Sequence, residues 1–246
     1  MGPGHKAQES EPFLLPQLIL LPGLLNDAEL WRDQIDGLAD VARCLVSDLT
    51  RGESIRELAE QVLADAEPTF ALAGFSMGGY VAQEIARIAP ERIERLALID
   101  TAIRVDTPER AAQRRAVNAA AEHPGAFLGI ADRLMASYVD ASRLDDKDLT
   151  GRIQAMTQRL GREVFVRQNS LPREDGEAAL RALRRPIVII CGQNDAITPL
   201  AGQREMAAAI GCSHLVVIPD AGHMTPMEAP GAVNGALRYW LGRTGR

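Results

Sequence analysis

The sequence lacks the charge and cysteine patterns that mark nucleic-acid-binding and metal-binding proteins. Its net charge is −6, and its arginines are scattered among acids instead of forming the basic stripe that phosphate backbones require. Its three cysteines, Cys44, Cys191 and Cys212, are widely spaced and include no Cys-x-x-Cys pair or Cys/His cluster. We therefore expect no nucleic-acid partner, no metal and no disulfide framework, with Cys44 and Cys191 buried as small apolar side chains.

Long hydrophobic runs are also absent. The first apolar run, Leu18–Leu21, is far too short to span a bilayer, and acidic Glu9 and Glu11 precede it where a signal peptide would be basic. We therefore expect no membrane partner and a cytoplasmic location. Residues 1–12 are expected to form a disordered polar tail.

Short apolar runs alternate with longer amphipathic stretches along the 246 residues, which is the pattern of an α/β protein. Each run is almost continuously apolar, as expected for parallel strands covered on both faces. The sequence therefore predicts a mostly parallel sheet with helices on both faces. The predicted strands are Leu18–Leu21, Cys44–Asp48, Phe70–Gly74, Arg95–Asp100, Ile187–Cys191 and Leu215–Ile218.

Local signals place several helix ends. Ser54-Ile55-Arg56-Glu57 is a capping box, which predicts a helix start. Thr107-Pro108 and Thr198-Pro199 each place a capping hydroxyl before a proline at the first helical position. Gly211 stands where a helix is expected to stop.

One long segment contains no convincing strand. Residues 103–185 show only helical periodicity and loops, although they separate two predicted core strands. An open α/β sheet accommodates such an insertion where its strands end, above the crevice that binds ligands. We therefore predict a helical cap at 103–185, inserted into a core formed by 13–102 and 186–246. The alternative is that these helices form an outer layer of the core.

A strand-to-helix turn contains the candidate nucleophile. Gly74-Phe75-Ser76-Met77-Gly78 follows a predicted strand and precedes a helical stretch, and its pattern is that of a sharp turn exposing a serine hydroxyl. The helix that follows favours negative charge developing beside the serine. Ser76 is therefore the predicted nucleophile.

A serine nucleophile needs a base, and the sequence offers four histidines. His5 lies in the predicted tail, His123 in the predicted cap and His214 at the start of a strand. His223 lies in a loop after the last strand, at the same edge of the sheet as Ser76. We therefore predict His223 as the base.

Two aspartates are candidates for the acid that orients the base. Asp195 follows the strand ending at Cys191, and it gives the chain order Ser, Asp, His. Asp100 ends an earlier strand and is the rival. We favour Asp195, because Asp100 could instead cap the turn that follows it.

Together these motifs resemble the α/β-hydrolase fold across nearly the whole chain, and within it the small bacterial esterases that carry a helical cap. The resemblance implies an oxyanion hole formed by the backbone N–H groups of Met77 and Leu24. The chain departs from the family where Pro22-Gly23 replaces the common His-Gly, so that Leu25 is an alternative to Leu24 as the donor.

The residues expected around the nucleophile are apolar, namely Leu24, Leu25, Phe75, Met77, Ile197 and Met224. No lysine lies in the motif loops, although Arg104, Arg133 and Arg173 of the predicted cap could reach the pocket. The sequence therefore predicts a serine hydrolase that cleaves a small neutral carboxylic ester through an acyl-enzyme, with a small-molecule acyl substrate as its partner and no cofactor.

The same triad also serves lactonases, thioesterases, carbon–carbon bond hydrolases and cofactor-free perhydrolases. A hydrolase fold used as a non-catalytic small-molecule receptor is a further alternative, because a fold alone does not define a function.

Overall fold

A computed structural model describes residues 15–121, 123, 129–130, 132–211 and 213–242. The predicted tail at residues 1–12 lies outside the described residues, as do His5 and Cys212. The side chain of Arg133 is not described either.

The sheet has six strands in the order β2-β1-β3-β4-β5-β6, and every neighbouring pair is parallel. All six predicted strands are present, with ends within two residues of the expected positions. The α/β class is therefore confirmed. The strands are β1 Gln17–Leu21, β2 Arg43–Val46, β3 Phe70–Phe75, β4 Ile93–Ile99, β5 Ile187–Gly192 and β6 Ser213–Ile218.

Ten α-helices are found in the described residues. They are α1 Arg32–Leu38, α2 Ile55–Asp65, α3 Met77–Ile88, α4 Pro108–Ala121, α5 Asp132–Tyr138, α6 Lys147–Ser170, α7 Glu177–Ala182, α8 Leu200–Ile210, α9 Thr225–Glu228 and α10 Pro230–Gly242. The long α6 is interrupted at Gly161, where φ is 79°. None of the helices within the described ranges is both long and apolar enough to cross a membrane.

The sheet separates two apolar cores, because successive side chains of a strand point to opposite faces. Leu18 and Leu20 of β1 pack into one core, which includes side chains of α1 and α10. Ile19 and Leu21 pack into the other core, which includes side chains of α2, α3 and α8. All four of these side chains are fully buried, so both faces of β1 are covered.

The edge strand β2 departs from the expectation of complete burial. Its residues alternate between exposed and half-buried, because β2 forms the edge of the sheet and pairs with β1 alone among the strands that the structure describes. Cys191 in β5 is fully buried as predicted, whereas Cys44 in β2 is only half-buried.

Three of the predicted helix ends are present. The Ser54 hydroxyl accepts from Glu57 N at 3.0 Å, and Thr107 Oγ1 accepts from Arg110 N at 3.3 Å. Gly211 ends α8 with φ 71°. The prediction for Thr198 is wrong, because α8 begins at Leu200 and the Thr198 hydroxyl donates to Asp195 instead.

The chain order of the strands fixes where a ligand crevice opens. Strands β2 and β3 lie on opposite sides of β1, so the connections after β1 and β3 leave in opposite directions and create a crevice at their carboxyl ends. Helices α4 to α7 lie between β4 and β5 in the chain, and no strand occurs among the described residues there.

Candidate active site

Ser76 occupies the turn between β3 and α3 in a strained conformation, with φ 48° and ψ −112°. A non-glycine residue in such a region costs on the order of 1–3 kcal/mol, and this strain persists only where the surroundings enforce it. The flanking glycines permit the turn, because a Cβ on Gly74 would lie 2.6 Å from Gly78 O and one on Gly78 would lie 2.4 Å from Leu21 O.

The neighbouring strand holds the turn in place. Ser76 N donates to Ile99 O at 2.9 Å, and the Thr101 hydroxyl donates to Ser76 O at 2.7 Å. Both polar groups of the Ser76 backbone are thereby bonded, and its side chain projects at the carboxyl edge of the sheet.

His223 lies between Ser76 and Asp195. Its Nε2 is 3.0 Å from Ser76 Oγ, and its Nδ1 is 2.8 Å from Asp195 Oδ2. The imidazole is almost fully buried, and it packs against the rings of Phe75 and Tyr138 at centroid distances of 5.1 and 5.9 Å. The structure therefore brings together the three residues that the sequence predicts.

Hydrogen bonds from its own loop favour the ionised form of Asp195. Its Oδ1 accepts from Ile197 N at 2.7 Å and Thr198 N at 2.9 Å, and its Oδ2 accepts from the Thr198 hydroxyl at 2.6 Å. Burial raises the pKa of Asp195, but the charge and hydrogen bond of His223 together with the Thr198 bonds outweigh burial and lower it overall. A charged Asp195 holds Nδ1–H of His223 toward itself and leaves Nε2 free to accept a proton.

Asp100, the rival acid, makes different contacts. Its Oδ1 accepts from Gly192 N at 2.9 Å, and its Oδ2 accepts from the Thr225 hydroxyl. Burial raises the pKa of Asp100 well above its usual value, and the nearby charge of Asp195 raises it further. Asp100 therefore favours its neutral form and braces the loops around the triad.

Glu228 of α9 organises the histidine loop, and sequence reasoning missed it. Its buried carboxylate accepts from the backbone N–H groups of Asp140 at 2.7 Å, Gly222 at 3.0 Å and Met224 at 2.9 Å. Burial raises the pKa of Glu228, although these bonds act in the opposite direction. The carboxylate ties the loop containing His223 to the helical segment between β4 and β5.

Two backbone N–H groups are the candidates for the oxyanion hole. Met77 begins α3, so its N–H has no acceptor within the helix. Leu25 N donates to Gln168 Oε1 at 2.8 Å and is thereby occupied, whereas Leu24 lines the same cavity as Ser76 and Met77. Of the two alternatives after β1, this arrangement favours Leu24 as the free donor.

The nucleophile opens into a cavity of about 270 Å³. Five of the six predicted pocket residues line it, namely Leu24, Phe75, Met77, Ile197 and Met224. Leu25 does not, because it is 2 % exposed and packed in the interior with φ 56°. Arg173 lines the cavity, whereas Arg104 is exposed and pairs with Asp175 and Glu177 outside it.

Comparison with known proteins identifies relatives over most of the chain. A model described as the alpha/beta hydrolase family matches residues 18–236. A dihydrolipoyllysine-residue acetyltransferase component of an acetoin cleaving system from Pseudomonas putida is 30% identical over 249 aligned residues. That alignment covers 91% of this chain but only 63% of the Pseudomonas protein, so this chain corresponds to part of a longer relative.

Solved structures show the same fold. A malate-bound thermophilic esterase from Thermogutta terrifontis superposes with a TM-score of 0.84 at 32% identity, covering 93% of this chain and 90% of the esterase. An enol-lactonase from Burkholderia xenovorans superposes with a TM-score of 0.82 at 25% identity, covering 93% of this chain and 91% of the lactonase.

Proposed function

This chain belongs to the alpha/beta hydrolase family, and we propose that it is a carboxylesterase-like serine hydrolase. Its substrate is a small carboxylic ester, and the reaction passes through an acyl-enzyme on Ser76. The observation that carries the proposal is the hydrogen-bonded series from Ser76 Oγ to His223 and on to Asp195, at 3.0 and 2.8 Å.

In the first half of the reaction, His223 Nε2 takes the proton of Ser76 as Oγ attacks the ester carbonyl. The imidazolium that forms is stabilised by the Asp195 carboxylate. The carbonyl oxygen gains negative charge, and the N–H groups of Leu24 and Met77 stabilise it; removing one such donor typically costs about 2.7–4 kcal/mol of barrier. His223 then donates the proton to the departing alkoxide, and the alcohol leaves.

In the second half, a water molecule enters and attacks the acyl carbon. His223 takes a proton from this water and returns it to Ser76 Oγ as the carbon–oxygen bond of the acyl-enzyme breaks. The carboxylic acid is released, and no cofactor is consumed in either half.

We propose that the helical segment at 103–185 caps the site. Residues of α4, α5 and α6 line the cavity together with Ser76, among them Val117, Tyr138 and Phe165. Two hydrogen bonds join the cap to the catalytic loop. Asp140 N donates to the Glu228 carboxylate, and His223 N donates to Tyr138 O at 2.8 Å. Such a cap restricts the length of the substrate.

Lactone hydrolysis is the second candidate. A lactone is an internal ester, so the same triad and donors open it without any additional group. The likeness to the Burkholderia enol-lactonase, at a TM-score of 0.82, supports this candidate alongside the esterase.

A fluorophosphonate probe tests the proposal directly, because it labels an activated serine and does not label an empty pocket. We expect stoichiometric labelling of Ser76, located by peptide mass spectrometry, with loss of labelling in Ser76→Ala. Heat-denatured protein is the control for nonspecific labelling. An unlabelled native protein would favour the non-catalytic receptor.

The length of the acyl chain provides a second test. A cavity of about 270 Å³ is small for a ligand site, since such sites typically occupy about 300–1,000 Å³. We expect kcat/KM for 4-nitrophenyl esters to be greatest between about two and eight acyl carbons and to decrease at about twelve or more. A maximum at twelve carbons or longer would contradict the proposed cap.

A further inference from the structure

The cavity beside Ser76 is more cationic than its apolar motif residues indicate. Among the described residues that line it are three arginines, Arg110, Arg114 and Arg173, but only one carboxylate, Asp106. The motif loops alone predict a neutral substrate, and the arginines come from the segment between β4 and β5. The cavity therefore has more positive than negative side chains.

Two of the three arginines are held by Asp106. Arg114 Nη1 lies 2.8 Å from Asp106 Oδ2, and Arg110 Nε lies 3.6 Å from Asp106 Oδ1. Arg114 also donates to Leu171 O at 2.7 Å and Arg110 to Ile197 O at 3.3 Å. Structural contacts therefore account for both guanidinium groups.

Arg173 has no such partner. Within the part of the chain that the structure describes, no carboxylate forms an ion pair with it, and its hydrogen bonds are long ones to Leu171 O at 3.3 Å and Gln168 O at 3.5 Å. Its guanidinium lies over the ring of Tyr80, with Cζ 5.4 Å from the ring centroid. This contact orients the group, and the charge of Asp106, which Arg110 and Arg114 share, offsets the charge of Arg173 only in part.

A guanidinium that is only partly compensated is costly in a partly enclosed site, because a charge taken out of water requires a partner of opposite sign. Burial lowers the pKa of Arg173 to about 10, and the positive charge of Arg114 contributes to this shift. The group still carries its charge at neutral pH. A bound anion would supply the missing partner.

We propose that the substrate of this enzyme carries a carboxylate remote from the bond that is cleaved, and that Arg173 binds this carboxylate. The planar guanidinium presents paired N–H donors that match the two oxygens of a carboxylate. The inference rests on the proposed function, since it places the reacting carbonyl at Ser76 in the same cavity. Arg173 is then a specificity-determining residue.

Matched ester pairs test the inference. One pair is hydrogen 4-nitrophenyl adipate and its terminal amide, which place the charge on the acyl half. The other pair is 4-acetoxybenzoate and 4-acetoxybenzamide, which place it on the alcohol half. We expect kcat/KM, divided by the spontaneous hydrolysis rate of each ester, to favour the carboxylate by about tenfold or more in at least one pair, as for a hydrogen bond to a charged group.

Arg173→Gln should reduce that preference to near unity. The value of kcat/KM for the carboxylate ester should fall because its KM rises. Arg173→Lys keeps the charge without the paired donors and should retain only part of the preference. Arg104→Gln is the matched control, because it removes the same charge outside the cavity and should leave the preference unchanged. Circular dichroism and thermal melting verify that each variant is folded.

The outcomes separate the two proposals. Wild-type protein that hydrolyses both members of both pairs equally, or that favours both amides, overturns the carboxylate inference while leaving the serine hydrolase intact. A preference that survives in Arg173→Gln also overturns it. Wild-type protein that hydrolyses none of the esters and does not label at Ser76 overturns the proposed function itself.

Discussion

Replacing Ser76 with Ala is expected to lower kcat for 4-nitrophenyl acetate by a factor of about 10⁴ or more while leaving the fold intact. The change removes the oxygen that lies 3.0 Å from His223 Nε2 and forms the acyl-enzyme. It leaves the backbone bonds of Ser76 to Ile99 and Thr101 in place, so the turn should retain its geometry.

His223→Ala should have an effect of similar size, because the serine hydroxyl is a weak nucleophile without its base. The double variant should be hardly worse than either single variant, since the two residues act as one unit. Steady-state kinetics, with thermal melting as the control for folding, measures these effects. If either single variant kept a tenth of wild-type activity, the assignment of Ser76 as nucleophile and His223 as base would be contradicted.

Much of this site could be predicted because its residues follow strands. Each strand is an apolar run several residues long, and the carboxyl ends of parallel strands meet at one edge. A turn motif after β3 and a loop after β6 therefore place Ser76 and His223 together in space, although 147 positions separate them in the chain. The same reasoning identifies Asp195 after β5.

The contacts that adjust the site follow no such local pattern. Gln168 donates to Leu49 O and accepts from Leu25 N, 143 positions away, and so determines which donor of the first loop is free. Glu228 binds Asp140 N at a separation of 88 positions. Both side chains are polar residues on helices, and in the sequence they resemble any solvent-facing Gln or Glu.

Arg173 illustrates the same limit. The sequence offers Arg104, Arg133 and Arg173 as candidates, and nothing local separates a solvated arginine from one that lines a cavity. In the structure, Arg173 is distinguished by its position over the ring of Tyr80 and by the nearby positive charge of Arg114, which lowers its pKa. Only packing between distant segments creates this difference.

Asp195→Asn is expected to lower kcat by a factor of about 10³–10⁴. Oδ1 of Asp195 accepts hydrogen bonds from two backbone N–H groups. In the variant, an amide nitrogen at the position of Oδ1 would face both of these donors. The amide nitrogen must therefore take the position of Oδ2 and face His223 Nδ1. The imidazole then carries its proton on Nε2, and it can no longer accept the proton of Ser76.

Asp100→Asn should cost far less activity, because an amide reproduces the neutral carboxyl group. Its oxygen can accept from Gly192 N, and the Thr225 hydroxyl, which donates to Asp100, can rotate to accept from the amide nitrogen. Measuring kcat for both variants decides between the two acids, and the reverse ranking would assign the orienting role to Asp100.

Stability provides an independent readout for the same pair. Because the pKa of Asp100 is raised in the folded state, its contribution to stability is fully present below its unfolded value of 3.8 and is lost as pH rises through the folded value. Asp100→Asn removes this titration, so its stability relative to wild type should increase from pH ~5 to pH ~9. Urea unfolding across that range measures the difference. A difference that stays constant with pH would show that Asp100 is already ionised, which would contradict its assignment as the neutral brace beside a charged Asp195.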